Sequence, residues 1–214
     1  LPIFAASLNY AATSATLTFT VNLAPQTITV NPLGTYAFDV VTKPSVTSTV
    51  SGAAGEYGAK SYSSSTTGVC TVNSSTGALT FVSAGNCTVT ASVAAGTKYL
   101  AAGPSSPVSF TISPVARTLS INAGYSPSYA FTASAPTLTV TAATTSTYTT
   151  GLQSGTVTYT SENANCSISP TGAVSFLSPG TCSFHAQIAA SGAFAASSVS
   201  PTVSFSVTAV ALNP

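Results

Sequence analysis

Few side chains in this chain can do covalent, metal or acid–base chemistry: Cys70, Cys87, Cys166 and Cys182; His185; Asp39, Glu56 and Glu162; Lys43, Lys60, Lys98 and Arg117. Their spacing sorts them. The cysteines fall into two matched pairs, Cys70 with Cys87 and Cys166 with Cys182, and both read as disulfides, which form in oxidising, extracytoplasmic compartments. A bridge closing a loop of about 17 residues is worth roughly 3 kcal/mol on the chain-entropy model. The alternatives, a metal site or a redox pair, fit poorly. Neither pair is a C-x-x-C, and two cysteines with the chain's single histidine do not complete a zinc shell.

Catalysis and calcium binding are equally short of groups. His185 alternates with Phe184 and Ala186 along an expected strand, which sets it on the face opposite Phe184, as a surface histidine. A Ser-His-Glu set built on His185 and Glu162 is conceivable, but serines are so abundant that one nearby carries no information. No enzymatic role and no catalytic residue are expected. Calcium asks for six to eight oxygens, usually with several carboxylates, and acids at 39, 56 and 162 do not make a repeated site. A covalent Lys–Asn cross-link is excluded in the second half, which has no lysine; Lys43, Lys60 or Lys98 are the donors available in the first. The expectation is therefore no metal and no cofactor.

The surroundings of these residues are nearly uncharged. Only 3% of residues are Asp, Glu, Lys or Arg, against roughly 25% in ordinary globular chains. No run of about 18 apolar residues is present to span a bilayer, because the hydrophobic residues are interleaved with Ser and Thr. A net charge of +1 leaves no footprint for nucleic acid or anionic lipid. It also leaves little repulsion between copies, which suits a protein that packs against itself or carries glycan. Asn73, Asn86 and Asn165 fit the N-glycosylation pattern, and the Ser/Thr runs at 61–67 and 144–150 are candidates for O-linked sugar. From Leu1 onward there is neither a basic n-region nor an apolar h-region. No signal peptide is read: it was removed, or the numbering starts inside a longer polypeptide.

The elements that must position these residues are short strands. Strands are expected in the first copy at 26–30, 36–41, 46–50, 60–64, 69–72, 78–81, 87–94 and 108–112. In the second they are expected at 118–122, 128–132, 138–142, 156–160, 166–168, 173–176, 182–188 and 203–207. Gly, Pro, Asn and Ser mark the breaks, the pattern of a β-sandwich. Phe81 and Phe176, Gly85 and Gly180, Cys87 and Cys182, and Phe110 and Phe205 share one offset of 95, so the chain holds two copies of one unit. The expected organisation is an orphan terminal strand in 1–23, sandwiches at 24–113 and 114–207, and a tail at 208–214 that resembles the start of a further repeat. The proline-bearing joints at 22–25 and 113–116 favour a stiff, extended connection.

Several stretches carry a resemblance: Tyr62 to Val72, with Gly68-Val69-Cys70; Gly77-Ala78-Leu79-Thr80-Phe81; Ala84-Gly85-Asn86-Cys87-Thr88; and the closing Tyr99-Leu100-Ala101-Ala102. Together they resemble the bacterial immunoglobulin-like (Big-type) tandem repeat in its cysteine-bearing variant, found in large secreted and surface proteins. The second copy departs from the pattern, since Cys166 lacks the preceding Gly-Val. The resemblance implies an all-β fold of two tandem immunoglobulin-like sandwiches plus an extra N-terminal strand. It says little about function, because such repeats serve as spacers, adhesin stalks, fibre modules and enzyme appendages.

The informative oddity is a count. The closing strand occurs three times, at 17–21, 108–112 and 203–207, but the cysteine-bearing centre only twice. Leu17, Phe19 and Val21 alternate with Thr16, Thr18 and Thr20, as in a half-buried strand. A solitary apolar strand needs a partner, so the expectation is a structural subunit of a bacterial extracellular filament or surface assembly. Leu17, Phe19 and Val21 would join it to copies of itself or to neighbouring repeats by strand addition or exchange. The alternative is an adhesin stalk or a carbohydrate- or ligand-binding module, with its orphan strand packed on its own first domain; a ligand face would use Tyr125, Tyr129, Tyr148 and Tyr159, although tyrosines in sandwiches are more often core or corner residues.

Overall fold

A computed structural model describes residues 14–122 and 124–211. The first thirteen residues of the N-terminal segment and the last three of the C-terminal tail lie outside the described residues. The described chain is all-β, and it contains no helix long and apolar enough to cross a membrane. In the first half the strands are β1 (Ile28–Val30), β2 (Tyr36–Ala37), β3 (Ser48–Val50), β4 (Lys60–Ser64), β5 (Cys70–Val72), β6 (Leu79–Phe81), β7 (Gly85–Val93) and β8 (Val108–Ser113). The second half repeats them as β9 (Thr118–Ile121), β10 (Ser128–Ala130), β11 (Val140–Ala143), β12 (Val157–Ser161), β13 (Cys166–Ile168), β14 (Val174–Phe176), β15 (Gly180–Ile188) and β16 (Val203–Thr208).

Each half is an immunoglobulin-like sandwich of two layers. One layer is a four-stranded sheet in the order β2-β8-β7-β4, repeated as β10-β16-β15-β12. In it the last strand pairs antiparallel with its predecessor and parallel with the short second strand: Tyr36 lies beside Ile112, and Tyr129 beside Val207. The facing layer joins β1-β3 to β6-β5 through a bridge between Ser45 and Ala78, and β9-β11 to β14-β13 through Thr137 and Ala173. Period-2 alternation fills the space between the layers. From β7 the inward residues are Cys87, Val89, Ala91 and Val93, and from β15 they are Cys182, Phe184, Ala186 and Ile188, all buried.

The turn between β5 and β6 shows how closely the copies match. Gly77 sits at φ 74° with its α-carbon against the Val46 carbonyl, and Gly172 sits at φ 85° against that of Leu138. A side chain at either place meets both a disfavoured backbone region and a carbonyl oxygen, so glycine is required. Asn73 holds the first turn by accepting from the amides of Ser75 and Thr76; Ser169 holds the second, one residue shorter, by accepting from Thr171 and Ala173.

The N-terminal segment behaves differently. Residues 14–23 form no strand, and among the described residues chain pairing begins at Ala24, which bridges in parallel to Tyr99. Leu17, Phe19 and Val21 are 85%, 82% and 82% exposed. The reason is steric and topological. The slot that this strand pattern fits, between β2 and β7 or between β10 and β15, is taken by β8 and β16, which leaves the third copy of the pattern without hydrogen-bonding neighbours.

Candidate functional site

Cys70 of β5 and Cys87 of β7 are bonded to each other, with α-carbons 5.7 Å apart; Cys166 of β13 and Cys182 of β15 are bonded likewise at 5.6 Å. Each bridge ties one layer to the other, and all four cysteines are buried. They fasten the core and present no sulfur to solvent. Among the described residues no group of three or more His, Cys, Asp or Glu side chains could hold a metal ion.

The structure does bring His185 and Glu162 together. His185 stands on β15 opposite Thr160, and Glu162 follows the end of β12, its amide bonded to the Ser183 carbonyl. The carboxylate accepts from His185 Nδ1 at 2.9 Å and from the Thr202 hydroxyl at 2.7 Å. The His185 bond, then the Thr202 bond, hold the Glu162 carboxyl below its ordinary pKa. Among the described residues no serine hydroxyl bonds His185, so the pair is an exposed cross-strand contact with no nucleophile attached. Because the folded-state pKa is lowered, its contribution to stability is complete above the ordinary carboxylate pKa of about 4.3 and fades as pH falls through the folded value. Glu162→Gln is therefore expected to lower the urea midpoint of the second sandwich at pH 7 and to converge on the unaltered chain as pH falls below about 4, which flattens the acid fall. An unchanged acid profile would show that the pair is not coupled to folding.

The lysines are all engaged. Lys43 Nζ donates to the carbonyls of Phe38 and Val40 at 2.6 and 2.7 Å and lies 5.0 Å from the Phe81 ring centre. Burial lowers its pKa, with Asp39 acting in the opposite sense. Lys60 donates to the Ser48 carbonyl at 2.8 Å, and Lys98 pairs with Glu56, which raises the lysine's pKa. No asparagine side chain is among their bonded partners in the described residues. Of the three sequon asparagines, Asn165 already donates its amide to Thr181 and accepts from the Ser178 hydroxyl.

The densest unassigned constellation lies between the sandwiches. Val115, in the expected joint, is buried and bridges in parallel to Phe194: its amide donates to Ala193 at 2.8 Å, and Ala195 donates back at 3.0 Å. Across this joint Ala84 donates to the Gly192 carbonyl at 3.1 Å, and Ser146 donates to Asp39 at 2.6 Å. The Tyr148 ring packs on Phe38 of the first sandwich at 5.1 Å and on Phe194 at 5.8 Å. Tyr148 and Phe194 thus join the first core. Tyr125, Tyr129 and Tyr159 pack against the second. Of the two sequence-based readings of these four, a ligand face or core and corner residues, the placement agrees with the second: their rings cover apolar core or the junction.

Arg117 anchors the junction from the second sandwich. It is 4% exposed and donates from Nε to Ala195 (3.0 Å), from Nη1 to Leu152 and Ser154 (2.6 and 2.7 Å), and from Nη2 to Ala189. Its guanidinium carbon lies 5.5 Å from the centre of the Phe194 ring. Burial lowers its pKa from the ordinary value, but an arginine stays charged, and four carbonyls solvate that charge in place of water. The equivalent residue of the first sandwich, Gln26, donates to the Leu100 carbonyl while its own Oε1 is buried without a partner. Sequence reasoning missed both residues. The available signal was their register, since each stands two residues after the bridging Ala24 or Val115.

No protein-family model matches the chain, and no curated protein does. Among solved structures, the chain is similar to human protocadherin-24 EC1-2, with a TM-score of 0.34 and 13% identity over 87% of this chain and 98% of that one. It is similar to domains 4–9 of the surface layer protein SbsC, with a TM-score of 0.32 and 17% identity over 87% of this chain and 30% of that one. It is also similar to the fibronectin(III)-like modules of Clostridium thermocellum CbhA, with a TM-score of 0.31 and 13% identity over 85% of this chain and 94% of that one. At these identities and scores the likenesses carry no argument about family or role, and the sandwich assignment stands on the sheet topology described above.

Proposed function

We propose that the chain is a structural subunit of a bacterial extracellular filament or surface assembly. Its bodies, residues 24–113 and 114–207, are cysteine-bearing immunoglobulin-like sandwiches of the Big type, and residues 17–21 supply the closing strand of a sandwich outside the chain's own two. The observation that carries this reading is the exposed, alternating Leu17-Thr18-Phe19-Thr20-Val21, which matches β8 and β16 yet forms no strand in this chain. The interlayer disulfides support an oxidising, extracellular setting. Two lysines held by backbone carbonyls, one paired with Glu56 and a buried arginine leave no basic surface for nucleic acid. No catalytic step is assigned, since the His185–Glu162 pair carries no nucleophile.

Deleting residues 1–21 is expected to abolish polymerisation, read by electron microscopy of the purified protein, while leaving both sandwiches folded and oxidised. Unchanged fibres from the deleted chain would overturn the reading. A monodisperse full-length chain would instead favour the alternative, a stalk or binding module of a longer surface protein.

A further inference from the structure

A strand at the rim of a sheet offers unpaired N–H and C=O groups to any extended chain that reaches it. Most rims of this fold are too short to serve. Among the described residues the rim strands β1, β2, β5, β10 and β13 have two or three residues and β9 has four, whereas β4 and β12 have five each. These two are the same strand in the two copies, and they differ in how the open side is kept.

The register shows which groups face that side. Ala91 and Ala186 exchange bonds with Ser105 and Ser200, directing their amides to the hydroxyls and their carbonyls to the amides of those serines, away from β4 and β12. Tyr62 and Tyr159 stand opposite these alanines, so their own N–H and C=O groups point to the open side, as do those of Lys60 and Val157 two residues earlier. In the first sandwich the side is closed. The Tyr62 amide donates to the Ser74 carbonyl at 2.9 Å, and Lys60 puts a charge on the strand; a covering loop and a lysine are two of the ways in which native proteins blunt an edge. The second sandwich has neither. Val157 stands in the place of Lys60, Pro170 stands in the place of Ser74 in a turn one residue shorter, and among the described residues no carbonyl receives the Tyr159 amide from that side.

We propose that β12 is a docking edge for β12 of a second copy of this chain, the two strands running antiparallel about Tyr159. Tyr159 then faces Tyr159 and Val157 faces Ser161, so the groups turned to the open side become the hydrogen-bonded pairs of a new ladder. Thr158 falls opposite Thr160 on the exposed face, a favourable pair that the symmetry makes twice. Nothing is displaced, since β12 keeps its bonds to β15. A second copy fits this edge because Val157-Thr158-Tyr159-Thr160-Ser161 is uncharged and keeps the same alternation read in either direction from Tyr159. Glu162, the next residue, falls opposite Thr156 and already accepts from His185 and Thr202 of its own sandwich, so no like charges meet. The contact is isologous and joins chains side by side. It goes beyond the end-to-end reading of residues 17–21 and does not depend on it.

The test follows the full-length chain by sedimentation velocity and by amide hydrogen exchange. Exchange at Val157 and Tyr159 is expected to slow about tenfold or more as concentration rises through the association range, while the Tyr62 amide is unmoved. Thr158 and Thr160 are exposed, and retention of both disulfides and of the melting profile checks that their variants fold. Thr158→Lys with Thr160→Lys sets like charges opposite each other at both symmetric pairs and is expected to weaken the association about tenfold or more; Thr158→Glu with Thr160→Lys makes the same pairs attractive and is expected to retain it. Val157→Lys, which copies the first sandwich, is expected to weaken it as well. Association untouched by the two lysines, or a Tyr159 amide whose exchange is independent of concentration, overturns the proposal. Weakening by the two lysines without retention in the Glu–Lys chain means a different register or a foreign strand, and overturns self-pairing. In a chain lacking residues 1–21 the concentration-dependent protection of Tyr159 is expected to persist even where polymerisation is lost; its disappearance there would make residues 17–21 the occupant of this edge and overturn pairing of β12 with itself.

Discussion

Replacing Arg117 with methionine is expected to destabilise the second sandwich by about 3–5 kcal/mol, the range found when one partner of a buried charged network is removed. The methionine fills the volume but donates nothing. The carbonyls of Leu152, Ser154, Ala189 and Ala195 then lose the donors they have in the structure. Each carbonyl left dry costs about 1–3 kcal/mol, and partial access of water keeps the sum below that limit. Against a domain stability of about 5–15 kcal/mol this is a large fraction. Arg117→Lys keeps the charge but not the planar fork that reaches four carbonyls at once, so it is expected to recover only part of the loss. Calorimetry on the full chain checks both: the transition of the second sandwich should fall well below that of the first, and coincident, unmoved transitions would refute the role. Phe194, beneath the guanidinium, also belongs to the first core, so a smaller shift in the first transition is expected as well.

The second large effect is at the cysteines. Sequence separations of 17 and 16 residues correspond to about 3 kcal/mol of unfolded-state entropy for each bridge. Replacing Cys70 and Cys87 together with alanine should lower the first sandwich by about that amount and leave the second nearly unchanged; the Cys166 and Cys182 pair should do the reverse. Urea midpoints with and without reductant measure this, and reductant should have no further effect on a sandwich whose pair has been removed. A loss much smaller than 1 kcal/mol in either would mean that the reduced chain is already constrained, since residual denatured-state structure takes up the difference.

The strands were legible because their alternation is regular and their breaks are chemical. Sixteen of the seventeen expected strands have a counterpart in place, from Lys60–Ser64, found with the bounds expected, to Tyr36–Ala37, which stops short; the strand expected at 17–21 does not form. That strand ends early because the chain turns after Ala37, where Lys43 ties down the carbonyls of Phe38 and Val40. The junction was not legible in the same way. Arg117 satisfies its donors with backbone carbonyls, which have no identity in a sequence, so a lone cation in an apolar stretch gives no sign of its partners. Tyr148 has the composition of an exposed residue in a Ser/Thr loop, and it is covered only because another sandwich stands over it. The His185–Glu162 pairing was visible as a possibility and needed the register of β12 against β15 to become a contact. For residues 17–21 the period was readable, and so, from three closing strands against two cysteine-bearing centres, was the want of a place in the chain's own sandwiches; that the segment forms no strand was not.

The interlayer bridges also set how far such a chain can lengthen under load. If a sandwich in a stretched filament gives way, a free strand of 17 residues would add close to 58 Å at about 3.4 Å per residue. The segment from Cys70 to Cys87 is instead held at 5.7 Å between α-carbons. Roughly 50 Å of slack is thus withheld in each sandwich for as long as its cystine stays oxidised. In the filament proposed above, the redox state of the surroundings would then determine extensibility, with reduction making the filament longer as well as weaker.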